Sequence, residues 1–493
     1  MLPAPSPSKT SIPIHYQSAT QLAQQIARGA LRSRDLLEHL LARVDALNPE
    51  INAIVVQDRE RARRRADAAD AASARGERWG PLHGVPFTVK ESFDARGLAT
   101  TFGFDALKDH RADADSVVVQ RLLSAGAVLF GKTNVPEALA DFQSYNAVYG
   151  TTQNPWRSGH TPGGSSGGSA AALAAGFTPL EMGSDIGGSI RNPAHFCGVF
   201  GHKPSFGLLP ARGHTIHGQL SGPDLAVVGP LARSATDLAL MLDLLAQPDE
   251  IDAAGLRVAL PRLNKPTAAL RIAVWDNDPV CPVSGAVRAR LAAVCETLGA
   301  AGASVDRHAR PFDDAAAAQV LYDQLLQSAM GGGLGDEAMA AAIQCARGLS
   351  PDDNGPSARV LRAQVMRQRE WSRHHEARTQ LRWAWHRFFQ RFDFVLAPVM
   401  PVTAFAHDHG RFGQRSMTVD GRDQPYFDAT FWAGLATLAY LPATVLPAGP
   451  AEDGLPVGIQ IIGPAYGDQL CIGLAQRLQA LGFGFAPPPA LAA

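Results

Sequence analysis

Cysteine is scarce in this chain of 493 residues: Cys197, Cys281, Cys295, Cys345 and Cys471 share no C-x-x-C spacing. An odd, scattered set suits reduced thiols in a cytoplasm, buried as small hydrophobes. No run reaches about 18 uninterrupted apolar residues, which excludes a membrane-spanning helix. The opening MLPAPSPSKTSIPIHY lacks the basic-then-apolar order of a secretory signal and reads as a loose tail. Charge of either sign is not in excess, with 45 Lys and Arg against 46 Asp and Glu. Neither nucleic acid nor an anionic membrane is therefore expected as a partner.

Several motifs are missing as well. No G-x-S-x-G elbow, P-loop ending, G-x-G-x-x-G spacing or H-E-x-x-H helix occurs. Among fifteen histidines, His214-x-x-His217 and His407-Asp408-His409 have no third ligand, so the expectation is no metal and no organic cofactor.

What the chain does have is two tight clusters of glycine and serine, residues 163–169 and 187–189, inside SGHTPGGSSGGSAAALAAGFTPLEMGSDIGGSIRNPAHFCGVFGHKPS. A Gly-Gly pair before a serine leaves consecutive N–H groups unshielded, which is how an oxyanion hole is built. A flexible linker has similar composition. Linkers do not alternate with apolar segments, however, and here Ser165 and Ser189 bracket an Ala-rich helix candidate and the apolar piece Phe177 to Met182. A phosphate cradle at a helix N-terminus lacks its motif.

The run PGGSSGGSAAALAAG, followed by GSDIGGSIRNPA and GVFGHKPS, resembles the amidase signature family, most densely between Pro81 and Pro204. The resemblance implies that Lys90, closing Gly84-Val85-Pro86-Phe87-Thr88-Val89-Lys90, is the catalytic lysine. It implies that Ser165 is the serine of a cis peptide and Ser189 the nucleophile. The family usually follows the lysine with Asp, whereas Glu91 stands here. The fold implied is α/β, a large mixed β-sheet flanked by helices on both faces. In that reading the tail spans 1–18 and a single domain 19–493, with a signature core at about 81–205 and a helical insertion at about 287–392 that caps the site. The activity implied is hydrolysis of a small-molecule carboxylic amide. The alternatives are the glutaminase subunit of a tRNA-dependent amidotransferase and a catalytically silent binding protein. Oligomeric state is open, a homodimer included.

The amides of Ile186, Gly187, Gly188 and Ser189 are the expected oxyanion donors, and any side chain at 187 or 188 should block them. Asp185 and Arg191 flank the turn as supports, and Ser166 assists by hydrogen bonding. By the resemblance, Asp141 and Phe142 are candidate substrate contacts at the start of a loop, Leu139 to Trp156. Tyr145, Phe405, Phe427, Phe431 and Trp432 suit either an apolar pocket or the core.

Elsewhere the pattern alternates helix and strand. Leu36, Leu37, Leu40, Leu41, Val44 and Leu47 mark a helix with Ser33 as N-cap and a stop at Asn48-Pro49. Residues 58–78 read as a solvated, alanine-rich helix. Ser116 to Ser124 reads as a capped helix, and Asp237 to Leu245 as another. Strands are expected near Val85 to Lys90, Ala127 to Gly131, Leu256 to Leu260, Leu270 to Trp275, Phe394 to Pro398, Ala443 to Leu446 and Val457 to Gly463.

Amide hydrolysis requires an activated nucleophile, a place for the oxyanion and a proton for the leaving amine. A lysine base must be neutral, yet at an ordinary value of about 10.4 only about one molecule in 2,500 is neutral at pH 7. Lys90 is thus required to be desolvated and without a carboxylate partner.

Overall fold

Two β-sheets meet at the strand that carries Lys90. In the computed structural model, which describes residues 12–216, 218–353, 355–411 and 413–492, Pro86–Lys90 runs parallel to Val128–Thr133. The latter pairs antiparallel with Ile54–Gln57, completing a three-stranded sheet. Pro86–Lys90 also packs against Leu180–Asp185, the edge strand of a second, eight-stranded sheet. Across that junction the Thr88 hydroxyl donates to the Glu181 carboxyl.

The large sheet runs in the order Ser304–Asp306, Arg271–Val274, Phe394–Pro398, Pro456–Ile462, Ala443–Pro450, Phe200–Lys203, Val227–Ala232, Leu180–Asp185. Its first three strands are parallel and every later pairing is antiparallel, so the sheet is mixed, as expected. Side chains alternate between the faces of a strand. Leu446 and Ala448 therefore join a core with helices Ala19–Ala27, Ala235–Leu245, Gly285–Ala300 and Asp468–Ala480. Val445 and Ala443 face the other side, where Gly167–Ala174, Arg191–Cys197, Gln368–Phe388 and Thr430–Thr437 pack. Each large apolar side chain fully buried this way contributes about 1.5–3 kcal/mol.

Gly167–Ala174 is buried along its whole length. Its first two positions admit only glycine: a Cβ at Gly167 would collide with the Ser144 side chain and one at Gly168 with the Asn134 backbone. This helix separates the two Gly/Ser clusters and fixes their spacing.

Some local expectations need correction. The second helix spans Ser33–Ile51, with Arg32 rather than Ser33 at the cap position. Its first amides are satisfied from outside: Asp70, on the helix Arg59–Ala74, accepts from Ser33 N at 2.7 Å and Arg34 N at 3.0 Å. The helix also runs through Pro49 and stops at Asn52, whose φ is 54°. Asn48 Oδ1 then accepts the amides of Ala53 and Ile54. Leu256 to Leu260 forms no strand; it is largely exposed and irregular, with no neighbouring strand to supply a ladder. The loop after Leu139 contains a short pairing of Tyr145–Asn146 with Gly150–Thr151.

Of the stretch read as a tail, residues 1–11 lie outside the described residues. Ile14–Tyr16 forms a short helical turn, and the Tyr16 hydroxyl donates to the Leu491 carbonyl at 2.8 Å. The section after Gly285 is mostly helical, comprising Gly285–Ala300, Ala315–Gly331, Asp336–Arg347, Pro356–Gln364 and Gln368–Phe388, with the edge strand Ser304–Asp306 among them.

Candidate active site

Lys90 ends its strand with its amine against Ser165 of the first Gly/Ser cluster and Ser184 of the strand that leads into the second. Its Nζ donates to Ser165 Oγ at 2.6 Å and to Ser184 Oγ at 2.9 Å. The side chain is wholly buried and forms no salt bridge among the described residues. Burial, opposed in part by the charge of Asp185, lowers its pKa from 10.5 to about 7. Burial thus disfavours the charged amine, and no carboxylate among the described residues pairs with it.

Ser165 follows a cis peptide bond from Gly164 and is buried. Gly163 has a φ of 92° and lies against Asn192 and Pro193. Ser189 is 7% exposed. Main-chain contacts draw the two clusters together, because the Ser166 amide donates to the Ser189 carbonyl at 3.1 Å. Ser166 Oγ also accepts the Ser184 amide at 3.3 Å, tying the first cluster to the strand that leads into the second.

Asn192 acts as a staple between the clusters. Its Nδ2 donates to the carbonyls of Gly164 and Gly188, and its Oδ1 accepts the Gly164 amide at 2.9 Å. Neither this residue nor Ser184 is marked by a motif, although both lie inside the signature stretch. The only signal available was their proximity in sequence to Ser189.

The turn before Ser189 is wound around the Asp185 carboxylate. Oδ1 accepts from Gly188 N at 2.9 Å, and Oδ2 from Ile190 N at 3.1 Å. Arg191 completes a buried ion pair, Nη2 to Oδ1 at 2.8 Å and Nε to Oδ2 at 3.0 Å. Burial pushes the Asp185 carboxyl up, but the Arg191 charge and hydrogen bonds outweigh it and the net shift is downward. Arg191 is anchored in turn by the Ala433 carbonyl, Gln460 Oε1 and Thr437 Oγ1.

This winding corrects one oxyanion expectation. The Gly188 amide is already committed to Asp185, whereas among the described residues no hydrogen bond engages the amides of Ile186, Gly187 and Ser189. Glycine is required at 188, where φ is 100° and a Cβ would lie 3.2 Å from that of Ala433. At 187 a Cβ would meet only the Tyr322 hydroxyl, at 4.0 Å, so the protein itself leaves room for a side chain.

The side chains of Asp141 and Phe142 are both engaged within the protein. Asp141 is buried and accepts from Arg415 Nη1 at 2.6 Å and the Tyr426 hydroxyl at 2.7 Å. The Phe142 ring is 5% exposed and packs with Tyr426 and Phe427. The contact with the site is through backbone, since a Cβ at Gly164 would collide with the Asp141 carbonyl. Phe431 and Trp432 are core residues. Glu91 accepts the amides of Thr101 at 2.6 Å and Phe102 at 3.0 Å, and so fixes the loop beyond Lys90.

His214 lies close enough to Lys90 to be affected by its charge. Burial, aided by that charge, lowers the imidazole to about 3, and its Nε2 is bonded to Ser92 Oγ at 2.9 Å. His217 lies outside the described residues. No group of three His, Cys, Asp or Glu among the described residues is arranged to hold a metal ion. No helix among them is long and apolar enough to cross a membrane.

The Amidase family model matches residues 35–472. AtzE, a 1-carboxybiuret hydrolase subunit of Pseudomonas sp. (strain ADP), is 36% identical over 482 residues, covering 94% of this chain and 98% of that protein. The acylamidase of Rhodococcus erythropolis is 33% identical over 493 residues, covering 95% and 96%. The structure of 6-aminohexanoate cyclic dimer hydrolase complexed with substrate superimposes with a TM-score of 0.78 at 28% identity, covering 97% and 99%. Near-complete coverage by the family model and by these relatives means that the chain belongs to the amidase signature family and is an amide hydrolase.

Proposed function

We propose that the chain hydrolyses a small-molecule carboxylic amide through an acyl-enzyme on Ser189, with Ser165 and Lys90 relaying protons. The observation that carries this reading is a buried lysine without a carboxylate partner, 2.6 Å from the hydroxyl of Ser165. As a neutral amine, Lys90 accepts the Ser165 proton on its lone pair and still donates an N–H to Ser184. Ser165 takes the Ser189 proton as Ser189 Oγ attacks the carbonyl carbon, and the developing oxyanion is met by the amides of Ile186, Gly187 and Ser189. Collapse of the tetrahedral intermediate breaks the C–N bond. The relay runs backwards to protonate the departing nitrogen, and water then cleaves the ester by the same route. Five free cysteines, four of them buried, fit a reducing cytoplasm.

The test is hydrolysis of a panel at pH 7 to 9, comprising glutamine, a short aliphatic amide, an aryl amide, an anilide and a carbamate, with Ser189→Ala beside the parent. Turnover abolished in the variant supports the assignment. Turnover equal in both would overturn it. Turnover of glutamine alone favours the glutaminase role within an amidotransferase.

A further inference from the structure

The helix Ala315–Gly331 reaches the nucleophile turn through one side chain. Tyr322 is 1% exposed, its ring lies against Gly434, and its hydroxyl donates to the Ile186 carbonyl at 2.6 Å. That carbonyl belongs to the peptide whose N–H is Gly187. In a trans peptide the C=O and N–H point in opposite directions within one plane, so fixing one aims the other. Asp185 already holds the turn at Gly188 and Ile190, but none of its bonds restrains the Ile186–Gly187 peptide. A Cβ built at Gly187 would meet only the Tyr322 hydroxyl, at 4.0 Å, so on that side only this hydroxyl lies near the peptide plane.

We propose that Tyr322 is a positioning residue: its hydrogen bond to the Ile186 carbonyl orients the Gly187 amide toward the developing oxyanion. The helical section thus supplies part of the transition-state geometry. A donor on the carbonyl also polarises the peptide and strengthens the N–H on its far side. Burial raises the Tyr322 phenol above its ordinary value, so the hydroxyl keeps its proton across the working pH range. This inference rests on the acyl-enzyme reading above.

Tyr322→Phe keeps the ring and removes the hydroxyl. The expected result is a fall in kcat of about tenfold with KM and the pH midpoint unchanged, well short of the hundredfold or more for deleting a donor outright. Inactivation by a fluorophosphonate probe, followed by intact mass, should slow by a similar factor, because the phosphoryl oxygen occupies the same hole. Leu438→Ala serves as the control for softened packing, since Leu438 shares a cluster with Tyr322 but leaves the hydroxyl in place. Leu438→Ala should retain kcat even where its melting temperature falls below that of Tyr322→Phe. Parent-like kcat and probe rate in Tyr322→Phe, or equal kcat losses in both variants, would overturn the proposal. Probe labelling that persists in Ser189→Ala would instead overturn the acyl-enzyme reading itself.

Discussion

Two strand ends, at Lys90 and at Lys203, each bury a lysine, and at each burial lowers the pKa to about 7. What separates them is what the nitrogen touches. Lys90 Nζ meets two hydroxyls, Ser165 and Ser184, both able to exchange a proton. Lys203 Nζ donates to the carbonyls of Pro204 at 2.8 Å and Leu441 at 2.9 Å, which have no proton to give. A depressed lysine pKa therefore marks desolvation and does not by itself mark a catalytic group.

The sharpest way to break that comparison is to remove each lysine in turn. Lys90→Met should lower kcat on the order of a thousandfold, the scale of lost general acid–base catalysis, and abolish the rise of kcat/KM through pH 7. Lys203→Met should leave kcat of the folded protein within about twofold. An equal loss from both, measured on the same amide, would mean that burial alone had been read as function.

Gly188→Val comes next in size. Its φ of 100° and the nearby Ala433 impose strain of about 1–3 kcal/mol on any side chain, and the turn should shift off the oxyanion position. A loss of about a hundredfold in kcat with an intact thermal transition is expected, and full activity would sink this account of the turn.

The smallest effect concerns stability against pH. Both lysines bind a proton more weakly folded than unfolded, so between about 7 and 10.5 the unfolded chain carries more protons and stability rises with pH. Each such group contributes at most about 1.4 kcal/mol per pH unit. Urea unfolding at pH 8 and pH 9 should give a shallower rise for Lys203→Met than for the parent. An unchanged slope would show that Lys203 is not titrating as its burial requires.

Much of the site was readable because its pieces are local. The two glycine-serine clusters, the strand ending at Lys90 and the strands Phe394–Pro398 and Pro456–Ile462 follow from runs of adjacent residues. Side-chain partnerships across the chain were not readable. Asp141 was expected at the substrate, but its carboxylate is claimed by Arg415, 274 residues away. Gly188 looked like a free donor because nothing in a glycine pair reveals that the preceding aspartate turns back upon it. Leu256 to Leu260 has a strand's composition and no partner, and pairing is a property of the whole fold. Tyr322 sat in a section of helical periodicity that carried no chemical motif.

During synthesis from the amino terminus, Ser189 emerges long before its surroundings exist. The partners of Arg191 at Ala433, Thr437 and Gln460 follow 242 to 269 residues later, and the strand Ala443–Pro450 must be inserted between Phe200–Lys203 and Pro456–Ile462. Contacts of such long range form late. A stalled or truncated chain therefore carries Ser189 without the partners that hold its turn, and the proposed site forms only when the protein is nearly complete.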